Sequence, residues 1–190
     1  MSMLCTLSRV TVAQIAAMRA DPSVATQLLH DLPAGAPARP GLFARLLGKA
    51  PPPPAPRMSW IGAAQQYDLD RQWHILHFLL TGLVEGGDFP ASFLCGEGEE
   101  IGVDLGYGKP RLFTSDEAGR IAAHLKSIEA QDLLARYDTD AIEAHVYWQV
   151  TDAEEERREQ VRDLHATMRE IAAFAADTAR RHCGLAVEIY

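Results

Sequence analysis

Cysteine is scarce in this chain, and its placement builds nothing. Cys5, Cys95 and Cys183 are odd in number, far apart and free of any C-x-x-C spacing. That excludes a disulfide framework and a zinc ribbon, and a reducing cytoplasm is the setting such a chain fits. Long apolar runs are missing too. No stretch approaches the ~18 uninterrupted apolar residues of a membrane span, and no basic leader precedes the apolar opening MSMLCTLSRV. Positive charge is in deficit: 18 basic side chains face 26 acidic ones, for a formal charge of −8. Such a surface repels phosphate backbones and anionic headgroups, so neither nucleic acid nor a membrane is an expected partner, whereas a basic protein surface is.

The motifs that announce common chemistries are absent as well. No serine sits in G-x-S-x-G, and neither phosphate-loop pattern nor the zincin H-E-x-x-H occurs. Neither Cys95 nor Cys183 has a histidine motif that would activate it, so nucleophilic catalysis has no positive support. No cofactor is predicted.

What remains is an ordinary globular composition, 47% hydrophobic and 23% charged over 190 residues, long enough for one domain with a real core. A single domain spanning residues 1–190 is the expectation, with a monomer favoured. Between about residues 33 and 57 a proline-rich insert interrupts it, and Ala50 to Pro56 should be polyproline-like and exposed, because proline removes amide donors and fixes φ.

Along the chain, MLCTLSRV reads as a strand. Thr11 with Gln14 has capping-box spacing for a helix over Val12 to Ala20, and Asp21-Pro22 opens another to about His30. Asp68 is placed to cap a helix over Leu69 to Thr81, ended by Gly82. A strand at Arg111 to Phe113 follows, and Thr114 with Glu117 caps a helix over Ser115 to Ser127. Two shorter helices, Ala130 to Tyr137 and Thr139 to Ala144, precede an extended HVYWQV. Thr151 and Glu154 then open the long last helix, whose Val161, Leu164, Met168, Ile171 and Ala175 form one apolar stripe. Gly184 supplies its stop, and LAVEIY is the closing strand. Few strands, set early, centrally and last, predict an α+β fold: a small mixed or antiparallel sheet covered by several helices.

Titratable and aromatic groups converge in LDRQWHILHFLLTG, Leu69 to Gly82. At 100° per residue from Trp73, His77 falls near 40°, Asp70 near 60°, Thr81 near 80° and His74 near 100°, roughly a quarter of the circumference. Asp70 and His74 are four apart, so the carboxylate could orient or charge the imidazole. One interpretation is a binding or acid-base site beside an aromatic platform, with His74 or His77 as general base tuned by Asp70 or Asp104. The other is a polar helix face whose histidines bond loop backbone while Trp73 fills space. No metal site is predicted: His74 and His77 stand three apart, imperfectly disposed for one ion, and a third ligand would have to come from Glu99, Glu100 or Asp104.

Downstream, GEGEEIGVDLGYGKP is rich in glycine, but Glu97, Glu99, Glu100 and Asp104 would oppose a phosphate. Its glycines are better read as shaping a bend that holds Tyr107 in place. With these residues in view, the chain resembles the YfbM-like family, a bacterial group defined as a domain of unknown function. The resemblance spans nearly the whole chain and is carried by LDRQWHILHFLLTG and by EEIGVDLGYGKPRLFTSDE. It implies a compact α+β domain with Trp73, His74, His77, Thr81, Gly102, Asp104, Gly106, Tyr107 and Gly108 on motif positions. It implies no reaction. If the two blocks meet, Asp104 and Tyr107 line a groove over Trp73, His74, His77 and Thr81, with Gly102, Gly106 and Gly108 as its structural glycines. A cytoplasmic, non-catalytic binding or interaction module using that groove is the preferred reading; the alternative is a small hydrolase-like enzyme, with metal assistance as a variant.

Overall fold

A computed structural model describes residues 3–30, 65–104, 107–151 and 153–190. The proline-rich insert and Gly106 lie outside the described residues. Five strands form one antiparallel sheet: β1 (Cys5–Val10), β2 (Gln66–Asp70), β3 (Glu99–Glu100), β4 (Arg111–Phe113) and β5 (Gly184–Ile189), in the order β2-β1-β5-β4-β3. Seven helices are described: α1 (Val12–Ala20), α2 (Ser23–His30), α3 (Gln72–Thr81), α4 (Ser115–Ser127), α5 (Ala130–Ala135), α6 (Thr139–His145) and α7 (Glu154–Arg180). This is the α+β architecture expected from the spacing of the strands.

The sheet divides the core in two. Side chains alternate across a strand, and the central strand β5 sends Leu185, Val187 and Ile189 to one face and Ala186 to the other. Register keeps the faces consistent, since Cys5 pairs with Ile189, Leu7 with Val187, and Phe113 with Leu185. On the larger face these residues meet α3, α4 and α7; on the smaller, Val10, Leu112 and Ala186 meet Met18, Ala25, Leu28 and Leu29 of α1 and α2. Each fully buried aliphatic side chain contributes roughly 1.5–3 kcal/mol by leaving water.

Local signals fix most boundaries. Thr11 and Thr114 both close full capping boxes, with Gln14 and Glu117 respectively. Asp21 caps α2 by accepting the Ser23 amide at 3.0 Å. The predicted stripe of α7 is buried as a unit, Val161, Leu164, Met168, Ile171 and Ala175 all facing the core.

Four expectations are corrected. Asp68 and Leu69 do not start a helix: QYDLD pairs with β1 as β2, which sinks Leu69 into the core. The Asp68 carboxylate accepts the Asp70 amide at 2.9 Å, Asp70 turns at φ +48°, and α3 begins only at Gln72. Val146 to Trp148 are bends rather than a strand, the Val146 amide being held by α6 at the Ile142 carbonyl. Nor does Thr151 cap α7; Ala153 occupies that position without a side-chain bond, and three glutamates in the first turn complement the helix dipole instead. Finally, Gly184 does not stop α7. His182 makes the turn at φ +53°, and Gly184 opens β5 where an added Cβ would stand 2.7 Å from both the Phe113 carbonyl oxygen and Ile15 Cδ1.

That last contact generates a test. Gly184→Ala should lower unfolding stability by about 1–3 kcal/mol through overpacking against rigid backbone; a urea midpoint equal to that of the wild type would refute the close approach.

Candidate functional site

Helix α3 is buried nearly all round. Trp73, His74, Ile75, Leu76, His77, Phe78, Leu79 and Leu80 are all buried, so its polar side is largely covered. Its last turn is closed by Gly82 in the left-handed conformation at φ +75° and by Arg136, which donates to the Leu79 and Leu80 carbonyls at 3.1 and 2.8 Å. Thr81 is part of that closure: its hydroxyl donates to the His77 carbonyl at 2.8 Å and accepts the Leu83 amide at 3.0 Å.

His74 is held between two aromatic rings. Trp73 stacks on it at 4.7 Å with planes 16° apart, and Tyr147 lies on it at 5.5 Å and 37°. The Tyr147 amide donates to His74 Nδ1 at 3.1 Å, which fixes Nδ1 as the bare nitrogen and leaves the proton on Nε2. The Val84 backbone is its second partner. Burial lowers the His74 pKa, against the weaker upward pull of Val84 and Glu85. Protonating Nδ1 would set a donor against a donor, so the nitrogen that a general base would use is already occupied.

His77 is more enclosed still, with 0% exposure. Neither ring nitrogen closes a hydrogen bond, although the Gly86 backbone comes near. Burial pushes its pKa down to about 4, helped by its proximity to His74 and Arg111. Asp70 touches neither histidine, since it belongs to the β2 turn and not to α3.

The glycine-rich bend from Ile101 onward packs on the other side of the sheet. Ile101 packs in the smaller cluster with α1 and α2, and an added Cβ at Gly102, whose φ is +79°, would stand 2.8 Å from Cβ of Ala25. Asp104 accepts the Gly108 amide at 3.0 Å and so shapes the bend. Tyr107 is exposed there. Glu99 is paired with Arg19 of α1, which holds its carboxyl below the usual range, and Glu100 lies 3.6 Å from Lys109. Ile101 and Gly102, which lead into Asp104 and Tyr107, thus pack against α1 and α2, while Trp73, His74 and His77 belong to α3 on the larger face of the sheet. Among the described residues no group of three or more His, Cys, Asp or Glu side chains is disposed to hold a metal ion, and no helix is long and apolar enough to cross a membrane.

A different concavity adjoins α3. An open cleft of about 820 Å³ is lined by Met3, Arg71, Trp73, Tyr147, Trp148, Gln149 and Gln160. Its floor is rigid. The Trp73 indole donates to the Met3 carbonyl at 3.3 Å, and Gln160 Oε1 accepts from Tyr137 at 2.7 Å and from the Trp148 indole at 3.3 Å. Tyr147, by contrast, is 71% exposed, its ring tilted against His74. Sequence reasoning missed Tyr147, Trp148 and Gln149 because HVYWQV has the composition of a strand. The available signal was two adjacent aromatics in a short link between helices, where no core awaits both.

The family described as "Domain of unknown function (DUF1877)" matches residues 1–187. Among solved structures the chain is similar to a protein of unknown function, YfbM from Escherichia coli, at 16% identity and a TM-score of 0.64, covering 98% of this chain and 99% of that one. No curated protein matches the chain.

The histidine geometry sets a pH window. A buried imidazole whose folded pKa lies below its unfolded value leaves stability untouched above about pH 6.5, where it is neutral in both states. As pH falls from there toward 4 the unfolded chain takes up the proton first, so stability is lost, by on the order of 3 kcal/mol at pH 4 for His77 alone. Urea unfolding between pH 7 and 4 should show this loss, and His77→Phe should make it shallower. Identical slopes in the two proteins would contradict the buried, neutral state of His77.

Proposed function

We propose, for a chain that belongs to the DUF1877 family of unknown function, that it is a binding module rather than a catalyst and that its ligand sits in the cleft of Trp73, Tyr147 and Trp148. The observation that carries this reading is Tyr147: its backbone amide is tied to His74 while its ring is presented outward into the cleft. Exposed aromatic area on an anchored backbone is what a recognition surface uses, because the backbone's ordering cost is met before the ligand arrives. An opening of this size suits a small ligand or a few side chains of a partner.

Two features favour binding without turnover. His74 has its acceptor nitrogen engaged by Tyr147, and His77 is sealed within the core at 0% exposure. Neither imidazole can reach a molecule in the cleft with a free lone pair, which a general base must do. The chain's net charge of −8 still favours a basic protein partner at the acidic outer surface, and a cytoplasmic setting suits its three free thiols.

Fragment screening by NMR tests the site. Hits should shift the Trp148 indole and Tyr147 signals, and Tyr147→Ala should weaken them about tenfold while leaving the unfolding midpoint within about 0.5 kcal/mol of the wild type, as for an exposed residue. Hits that map to Tyr107 and the glycine bend, with the cleft silent, would move the function to the other side of the molecule.

A further inference from the structure

We infer that the cleft takes a planar ligand bearing one negative charge, its ring seated on the outer face of Tyr147 and its carboxylate or phosphate oxygen paired with Arg71. This rests on the binding-module reading and adds a ligand class to it.

The ring requirement comes from the stack. Trp73 stacks on His74 at 4.7 Å between centroids, and the Tyr147 ring packs against His74 at 5.5 Å with its plane tilted by 37°. The outermost ring is the one the solvent reaches. A flat ligand would add one member to that cluster, on a ring whose backbone is anchored by the bond from the Tyr147 amide to His74. Aromatic stacking of this kind contributes beyond the area it buries.

The charge requirement comes from what lines the cleft. Among the described lining residues Arg71 is the one ionised side chain, and no carboxylate joins it. In a chain with a formal charge of −8, a cleft whose described lining carries only a positive charge is a local reversal. Arg71 precedes α3, is exposed, and makes no ion pair among the described residues. Its fork of donors matches a carboxylate or phosphate edge.

The polar inventory narrows the class further. The Trp73 and Trp148 indole N–H groups are taken by Met3 and Gln160, and the Gln160 amide is committed to Tyr137, Trp148 and the Gln149 carbonyl. Arg71, the Gln149 side chain and the Tyr147 hydroxyl are left to meet a ligand. A sugar, with hydroxyls on every side, would leave most of them without a protein partner; a cationic ligand would meet Arg71 and no acid. A flat molecule with a single anionic group matches what is free.

Two probes with the same ring separate the two requirements. Indole-3-acetate and indole-3-acetamide, titrated into the full chain and followed by NMR, differ in charge alone. The acetate should shift Tyr147, Trp148 and the Arg71 side chain and bind about fivefold tighter than the amide, the scale of one solvent-accessible ion pair. Arg71→Gln should reduce the acetate to the amide's affinity, and Tyr147→Ala should weaken both. Equal affinities, or an Arg71→Gln protein that still prefers the acetate, overturn the charge selection while the cleft remains a binding site. No shift from either probe up to about 10 mM, with other fragments still mapping to the cleft, overturns the planar anion. A cleft that no fragment reaches overturns the binding-module reading itself.

Discussion

The hydrogen bond from the Tyr147 amide to Nδ1 of His74 joins two segments 73 residues apart, and the cleft depends on it. It sets the tautomer of an imidazole enclosed in the core, it satisfies a nitrogen that burial would otherwise leave unpaired, and it anchors the bend between α6 and α7. Without it Tyr147 would be an exposed aromatic on a free link. With it, the same residue becomes the outer member of a three-ring cluster rooted in α3. The acceptor role has a second consequence: a nitrogen that accepts from an amide is not available to accept from a substrate. One contact thus builds the platform and removes the base.

The sheet imposes the other constraint. A strand sends alternate side chains to opposite faces, so β4 and β5 hold α3 and α7 on one side and α1, α2 and the Ile101 bend on the other. The glycines at 102 and 108 are therefore explained by local geometry, a close approach to Ala25 and a turn around Asp104, with no need of a ligand. Residues that look like one motif set can be needed for two unrelated reasons. Trp73, His74 and His77 are needed to fill and order the large core face, and the bend is needed to close the small one.

Much of the fold was legible because its signals are local. Thr11 with Gln14 and Thr114 with Glu117 sit three residues apart and close their boxes as spacing demands; the stripe of α7 follows from period alone. The start of α3 misled because an aspartate before an apolar run reads as a cap, whereas pairing of Gln66 to Asp70 with β1, some sixty residues earlier, is not written in the run itself. That one shift of boundary removed Asp70 from the histidine face. The candidate site was half legible for the same reason. Trp73 and His74 stood out by type and spacing, while Tyr147, Trp148 and Gln160 reach them only through tertiary contacts. No helical wheel shows that the polar face of α3 is itself buried.

A negative chain with a positive cleft is not a contradiction once distance enters. At physiological salt, charges more than about 8 Å apart are largely screened, so the acidic side chains spread over the outer face of α7 contribute little at the floor of the cleft. Arg71 acts at contact distance, where screening is weakest and where its donors can form bonds rather than merely attract. The long-range field and the short-range chemistry therefore serve different steps. The excess of carboxylates slows the approach of any anion and discourages polyanions such as nucleic acid, while a small ligand with a single charge is repelled little on the way in and meets a matched partner on arrival. Selection by size of charge, rather than by sign alone, follows from placing one guanidinium beside fixed aromatic rings in an otherwise acidic protein.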